Sequence, residues 1–335
     1  MGDIVSSLLF QPPPPTYMHP TRYFWLQTRN GNKIPAFYIK HAHAKVTILF
    51  SHGNSEDLGL IYDWFYDLSK VLGVNIMSYD YTGYGLSIGE PSEQNCYADI
   101  EAAYQYLREV KKLLPEQIVL YGRSLGSGPT CYLAAKTAES GRSIAGVILQ
   151  SPVLSVLRVV SFNYRNTTVG DKFANIDIVE KIRCPTLVIH GKEDKVVPFW
   201  HGVNLHKKLS PKVRIIPLWL NAGHNNIEAT CTLDLIKKLN DYLEINVPAK
   251  SGHVPSPPSV LSEDMNISVQ SKISTETHSS FPPSLMAVSN SCSKSTDTSS
   301  PRDSTGTTVK TENSTNSVHS WLGDIQIGMS SFVCV

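Results

Sequence analysis

A serine flanked by glycines at the end of an apolar run, Gly122-Arg123-Ser124-Leu125-Gly126, carries the strongest chemical signal in the chain. Ile118 to Tyr121 read as a buried strand and Cys131 to Thr137 as a helix, so the serine falls on a sharp strand-to-helix turn, a nucleophile elbow. Such a turn strains the backbone so that the hydroxyl stands clear of the sheet, and glycines two before and two after it let neighbouring elements approach. The chemistry this points to is covalent, with Ser124 as the nucleophile.

A serine hydroxyl attacks only when a base takes its proton and something orients that base. His224, in Leu220-Asn221-Ala222-Gly223-His224-Asn225-Asn226, follows the last expected strand and precedes the final helix, where a loop can carry an imidazole over the elbow. The same loop also reads as a helix cap, for which Asn225 or Asn226 would serve. Asp194 lies in the loop after the penultimate strand, His190-Gly191-Lys192-Glu193-Asp194, placed to accept the other imidazole N–H and stabilise an imidazolium. Glu193 beside it is the rival and reads as a solvated loop charge. Asp171 and Asp177 fall outside the chain order serine, acid, histidine, while His190, His201 and His206 read as structural. A tetrahedral oxyanion needs backbone donors, here assigned to the N–H of Leu125 and to that of Asn54 in Ser51-His52-Gly53-Asn54. The loop Tyr79 to Ser87 contains G-x-G but lacks a third glycine at the right offset, a poor dinucleotide fingerprint. It is expected to wall the site, with Asp80 bonded to nearby backbone. No cofactor and no metal are expected.

These residues need a scaffold that gathers them, and from Thr21 to Leu243 short β-branched runs alternate with helical-period segments, the pattern of a mostly parallel sheet covered by helices. Strands are expected near Tyr23–Gln27, Ala36–Lys40, Val46–Phe50, Val74–Tyr79, Ile118–Tyr121, Gly146–Gln150, Thr186–His190 and Val213–Leu218. Helices are expected over Leu58–Leu72, Asn95–Leu113, Gly126–Ala138, Trp200–Lys208 and Ile227–Leu243. Between Pro152 and Arg183 the pattern lapses into turns and aromatics, including Phe162, Tyr164 and Phe173, where a cap over the site would lie. Before the domain, residues 1–20 read as a tail with an apolar patch and the polyproline run Pro12 to Pro15. Beyond it, residues 246–335 read as disordered, since about two in five residues of Ser251 to Ser320 are Ser or Thr. The apolar Trp321 to Val335 end is too short to span a bilayer.

Composition narrows the function further. A formal charge of +1 over 335 residues gives no electrostatic case for nucleic-acid binding. The six cysteines, Cys96, Cys131, Cys184, Cys231, Cys292 and Cys334, show neither CxxC pairs nor a dense framework, which indicates a reducing compartment and free thiols. No secretory leader pattern or long apolar run is present, so the sequons at Asn166, Asn266 and Asn313 read as incidental.

The motifs SHGNSEDLG, YDYTGYGLSIGEPSE, YGRSLGSGPT, HGKEDKVVPFWHG and AGHNNIE together resemble the α/β-hydrolase family, and within it the branch of palmitoyl-protein thioesterases that remove acyl chains from membrane-associated proteins. The resemblance covers Pro12 to Leu243. It implies an eight-stranded, mostly parallel sheet flanked by helices, a triad of Ser124, Asp194 and His224, an oxyanion hole from Asn54 and Leu125, and thioester substrates on protein cysteines. It also implies a cytoplasmic protein in peripheral contact with the plasma or endosomal membrane. One departure stands at the N-terminus: members of this branch carry an acylated cysteine cluster there, whereas the first cysteine here is Cys96. Met1-Gly2-Asp3-Ile4-Val5-Ser6 instead fits the M-G-x-x-x-S/T myristoylation pattern, with Asp3 unfavourable beside the acceptor glycine. Two other functions remain open on sequence: a lipid esterase or monoacylglycerol-type lipase, which would share every catalytic residue, and a non-catalytic hydrolase-fold binding module.

Overall fold

A computed structural model describes residues 9–18, 22–160 and 166–247, all within one compact unit. The stretch expected to be disordered falls outside the described residues from 248 onward, as do the Met1 to Ser6 pattern, Phe162, Tyr164, Cys292, Cys334 and the Trp321 to Val335 end.

Eight strands form one sheet in the order β1-β2-β4-β3-β5-β6-β7-β8: β1 (Phe24–Gln27), β2 (Lys33–Ile39), β3 (Thr47–Ser51), β4 (Asn75–Tyr79), β5 (Ile118–Arg123), β6 (Gly146–Gln150), β7 (Thr186–Gly191) and β8 (Leu218–Leu220). β2 runs antiparallel to both β1 and β4, and every other pairing is parallel. The five strands from β4 to β7 in that order are buried at nearly every position, as a parallel sheet covered on both faces requires.

The two faces can be read residue by residue. Ile48, Ile76, Val119, Tyr121, Ile148, Leu187 and Ile189 point to one side, where they meet helices α1 (Leu58–Leu72) and α8 (Thr232–Asn246) through Ile61, Phe65, Leu68, Leu239 and Leu243. Their strand neighbours Leu49, Met77, Leu120, Val147, Leu149 and Val188 point to the other, against α2 (Glu93–Glu109), α3 (Ser127–Glu139) and α6 (Trp200–Lys208) through Ile100, Leu107, Leu133 and Leu205. The period of two along each strand thus divides the apolar interior into two layers. Short helices α4 (Val156–Val160) and α5 (Asn175–Ile178) occupy the segment expected to cap the site, and α7 (Ile227–Thr230) precedes α8.

Several boundaries differ from the sequence expectation for identifiable reasons. β8 was expected at Val213–Leu218, but Pro217 has no N–H to give a ladder; residues 213–215 make only an isolated bridge to β7, and regular pairing begins at Leu218. β2 starts at Lys33, ahead of Pro35, whose carbonyl still accepts from the Asp80 N–H at 3.0 Å. α2 starts at Glu93 because Ser92 caps it, its side chain accepting from the Asn95 N–H, and stops short of Leu113, where Lys112 takes a φ of 58°. The single helix expected over Ile227–Leu243 breaks at Cys231, flanked by Thr230 and Thr232, whose hydroxyls bond back to the Asn226 and Glu228 carbonyls.

The largest difference is at the N-terminus. Residues 9–18, expected as a tail, lie against the domain as a strap, with Phe10 and Tyr17 buried. The Thr16 N–H and hydroxyl both donate to Asp57, the N-cap of α1, and the Tyr17 hydroxyl donates to buried Asp80. Asp80 also accepts from the Leu58 N–H at 3.0 Å, the backbone bond expected of it. The close fit needs glycine at positions 59 and 85, since a side chain there would collide with Thr16 and with Tyr17 and Asp80.

The fully buried Leu239 on α8 tests the layer assignment. Leu239→Ala is expected to destabilise the domain by about 2 to 5 kcal/mol, read as a lower urea midpoint at unchanged slope.

Candidate active site

Parallel strands present their carboxyl ends on one edge of the sheet, so the loops after β3, β5, β7 and β8 converge there. The elbow follows β5. Ser124 has a φ of 52°, in the left-handed region, opening a 3-10 turn (Ser124–Gly126) that continues into α3. A non-glycine residue in this region costs on the order of 1 to 3 kcal/mol and persists only where its surroundings enforce it. They do: a side chain on Gly122 would strike the Gly126 carbonyl and Thr130, and one on Gly126 would strike the Ser51 carbonyl at the end of neighbouring β3. Ser127 then ties the turn down, its hydroxyl donating to the Ser124 carbonyl at 2.6 Å and accepting from the Val153 N–H at 3.1 Å.

The loops after β7 and β8 are joined by backbone bonds, Lys192 N–H to Leu220 O at 2.7 Å and Glu193 N–H to Ala222 O at 3.0 Å. Gly191 permits that approach, because a side chain there would strike the Ala222 carbonyl. Asn226 folds back on the same loop to accept from the Gly223 N–H at 2.8 Å, so its side chain braces the histidine loop instead of capping α7. His224 is thereby carried to the elbow. Its Nε2 lies 2.9 Å from the Ser124 Oγ, and its Nδ1 lies 2.7 Å from Asp194 Oδ2. The second oxygen, Oδ1, accepts from the Val196 and Val197 N–H groups at 2.9 and 2.8 Å. The residues Ser124 and His224 are each 9 % exposed, while the Asp194 side chain is fully buried, so the line is sheltered yet reachable from solvent at its serine end. Burial alone would raise the Asp194 pKa, but hydrogen bonds from His190 and His224 outweigh it and hold the carboxyl well below its usual range. His190, read from sequence as structural, therefore also serves the acid, with its Nε2 3.2 Å from Asp194 Oδ2. Glu193 stays out of the relay.

On the opposite side of the serine lies the loop after β3. Its Gly53 N–H is taken by Glu56 Oε2 at 2.6 Å, which leaves the next N–H, that of Asn54, without an acceptor among the described residues. Leu125 is the second residue of the 3-10 turn, where an N–H has no carbonyl upstream in the turn to receive it. The two expected donors thus sit on adjoining segments flanking Ser124. A serine bonded to an imidazole that is itself bonded to a buried carboxylate, beside free backbone N–H groups, can carry out acyl transfer.

Comparison with known proteins identifies the family. The chain is 39% identical over 256 residues to the human protein named α/β-hydrolase domain-containing protein 17B, an alignment covering 68% of this chain and 86% of that one. It is 40% identical over 227 residues to the mouse 17C protein, covering 67% and 68%. The chain belongs to the α/β-hydrolase domain-containing protein 17 family. It is a hydrolase by family and fold. A model of the prolyl oligopeptidase family matches residues 84–244 of this family member. Among solved structures, an esterase from Pyrococcus furiosus superposes with a TM-score of 0.56 at 15% identity, covering 70% of this chain and 98% of that one. A serine hydrolase homologue from Coxiella burnetii gives 0.51 at 18% identity, covering 68% and 100%. At such identities these last two speak for the fold.

Two features of this hydrolase escaped the sequence reading. Arg123, inside the elbow motif, forms an ion pair with Glu56 at 2.6 Å and approaches Glu228 at 3.6 Å, and Glu228 in turn accepts from Gln150 at 2.7 Å. Burial opposes ionisation of Glu56, but Arg123 and the Gly53 N–H prevail and hold its pKa below the ordinary value. A signal was present, because an arginine beside a sheltered serine needs a carboxylate partner. The other is the clasp on Asn54, whose side chain meets the strap and Tyr84; nothing local in the sequence announces it.

Two outcomes check this geometry. Gly126→Ala is expected to destabilise the fold by about 1 to 3 kcal/mol in urea unfolding, through collision with the Ser51 carbonyl. A carboxylate with a lowered folded-state pKa stabilises fully above its unfolded value of about 4, and the benefit fades as pH falls below that value toward the folded one. The stability gap between wild type and Asp194→Asn should therefore be narrower at about pH 3 than at pH 5 in paired urea titrations; an equal gap at both would contradict the assignment.

Proposed function

We propose that this hydrolase is a serine hydrolase cleaving acyl thioesters, with S-palmitoyl groups on membrane-associated proteins as its substrates. The observation that carries the serine mechanism is the continuous hydrogen-bonded line from Ser124 through His224 to Asp194, at 2.9 and 2.7 Å. The thioester class rests on the resemblance of the five site motifs to palmitoyl-protein thioesterases.

In this reading Ser124 Oγ attacks the thioester carbonyl carbon while His224 Nε2 takes its proton, and Asp194 stabilises the resulting imidazolium. The carbonyl oxygen becomes an oxyanion received by the Asn54 and Leu125 N–H groups. Collapse of the tetrahedral adduct breaks the C–S bond, and His224 returns the proton to the departing cysteine sulfur. A thiol of pKa about 8.5 leaves far more readily than an amine, so little leaving-group assistance is required. Water, deprotonated by His224, then attacks the acyl-serine; the bond from the acyl carbon to Ser124 Oγ breaks, His224 returns the proton to Oγ, and the fatty acid leaves. No step calls for a cofactor. The location that suits this substrate is the cytoplasmic face of the plasma or endosomal membrane, reached by peripheral contact, and no nucleic-acid partner is proposed. Among the described residues no helix is long and apolar enough to cross a membrane.

One panel tests the reading: purified protein against S-palmitoylated and S-myristoylated peptides beside monoacylglycerol and short-chain esters. The expected result is release of thiol from the acylated peptides at a kcat/KM above that for the glyceride; the reverse order would make the protein a lipid esterase. His224→Ala is expected to lower kcat by about 10⁴-fold or more in protein that still folds, with a somewhat lower unfolding midpoint because Asp194 loses one of its partners. Turnover surviving in that variant would show that another group is the base.

A further inference from the structure

The N-terminal strap does more than cover the domain. Its backbone is bonded to the side chain of Asn54, the residue whose own N–H is assigned to the oxyanion. Asn54 Nδ2 donates to the Leu9 carbonyl at 2.7 Å, and Asn54 Oδ1 accepts from the Gln11 N–H at 3.1 Å and from the Tyr84 hydroxyl at 2.6 Å. A carboxamide offers donor and acceptor side by side, so it pairs with residues i and i+2 of the strap as a neighbouring strand would. No carboxylate or hydroxyl offers both in that geometry.

The strap is itself fixed at both ends. At one, Thr16 and Tyr17 are held by Asp57 and Asp80, with glycines at 59 and 85 making room. At the other, Phe10 is 4 % exposed and packs edge-on against Phe173, whose ring lies over Gly128 of α3, the helix that leaves the elbow. Between them Pro12 to Pro15 limit the backbone to a few conformers, so little freedom is lost on docking.

We propose that the strap residues Leu9 to Gln11, together with Tyr84, are positioning elements that hold Asn54 so that its backbone N–H meets the developing oxyanion. The proposal rests on the reading of Ser124 as nucleophile and of Asn54 as one of its two oxyanion donors. Donors of this kind act only when aimed at the place where charge develops, and a small misplacement is costly. Losing the clasp tilts the donor without removing it, so the penalty lies below the roughly 10²- to 10³-fold seen when an oxyanion donor is deleted.

The experiment compares full-length wild type with Asn54→Ala, Tyr84→Phe, Gln11→Pro and the double variant Asn54→Ala/Gln11→Pro. Active sites are counted by fluorophosphonate labelling, and hydrolysis of p-nitrophenyl octanoate is measured per labelled site. The expected result is a kcat lowered about tenfold in Asn54→Ala and about threefold in each of Tyr84→Phe and Gln11→Pro, with KM within twofold of wild type. The double variant should be no slower than Asn54→Ala, because the Gln11 contact acts through the Asn54 side chain. A strap that merely stabilised the fold would lower the number of labelled sites and leave kcat per site intact, or would give additive losses; either result overturns the proposal. Failure of wild type to label, or labelling that persists in Ser124→Ala, would instead remove the serine reading on which it rests.

Discussion

Everything at this site depends on one backbone constraint: Ser124 is kept in the left-handed region, with a φ of 52°, at the end of a buried strand. Left to itself the chain would relax it, since the cost is of the same order as a good hydrogen bond. It is prevented by contacts that leave no slack. A side chain on Gly122 would collide with Gly126 and Thr130 across the turn, one on Gly126 would collide with the Ser51 carbonyl, and Ser127 ties the turn to Val153. The bend in turn points the hydroxyl toward His224, which arrives on a loop pinned to its neighbour by the Lys192 and Glu193 N–H groups.

Electrostatics follow the same logic. Two carboxylates, Asp194 and Glu56, are sheltered on either side of the serine, and each is held ionised by a specific partner set that overcomes the cost of burial. Asp194 is answered by two histidines and two backbone N–H groups; Glu56 is answered by Arg123 and the Gly53 N–H. The second pair links the elbow to the loop after β3, so Ser124 and the segment that carries Asn54 share one network. An unpaired charge at either place would be costly, which makes the arrangement intolerant of single losses.

How much of this was legible in the chain varies with the range of the interactions involved. Helices α1 and α6 were placed to the residue, because apolar residues at three-to-four spacing, such as Ile61, Phe65, Leu68 and Leu72 in α1, are local signals. The relay residues were legible because each lies in a short loop immediately after a strand, with glycine permitting its approach. β8 was misplaced by a few residues because β-branched Val213 to Ile216 outweighed the one missing donor at Pro217. The strap was read as a tail because a proline run looks exposed in isolation. Its docking is decided by Asn54, Asp57, Gly59, Asp80 and Gly85, all more than 40 residues away, and no local pattern encodes such a match.

The most direct test of the central claim is to trap the covalent intermediate. Wild-type protein is mixed rapidly with a palmitoyl thioester, quenched in acid and digested, and the peptide containing Ser124 is analysed by mass spectrometry. The account predicts a transient palmitoyl ester on Ser124 that forms faster than it decays and is absent from Ser124→Ala, which also fails to turn over. Acylation at another residue on the path to product, or undiminished turnover in Ser124→Ala, would contradict it.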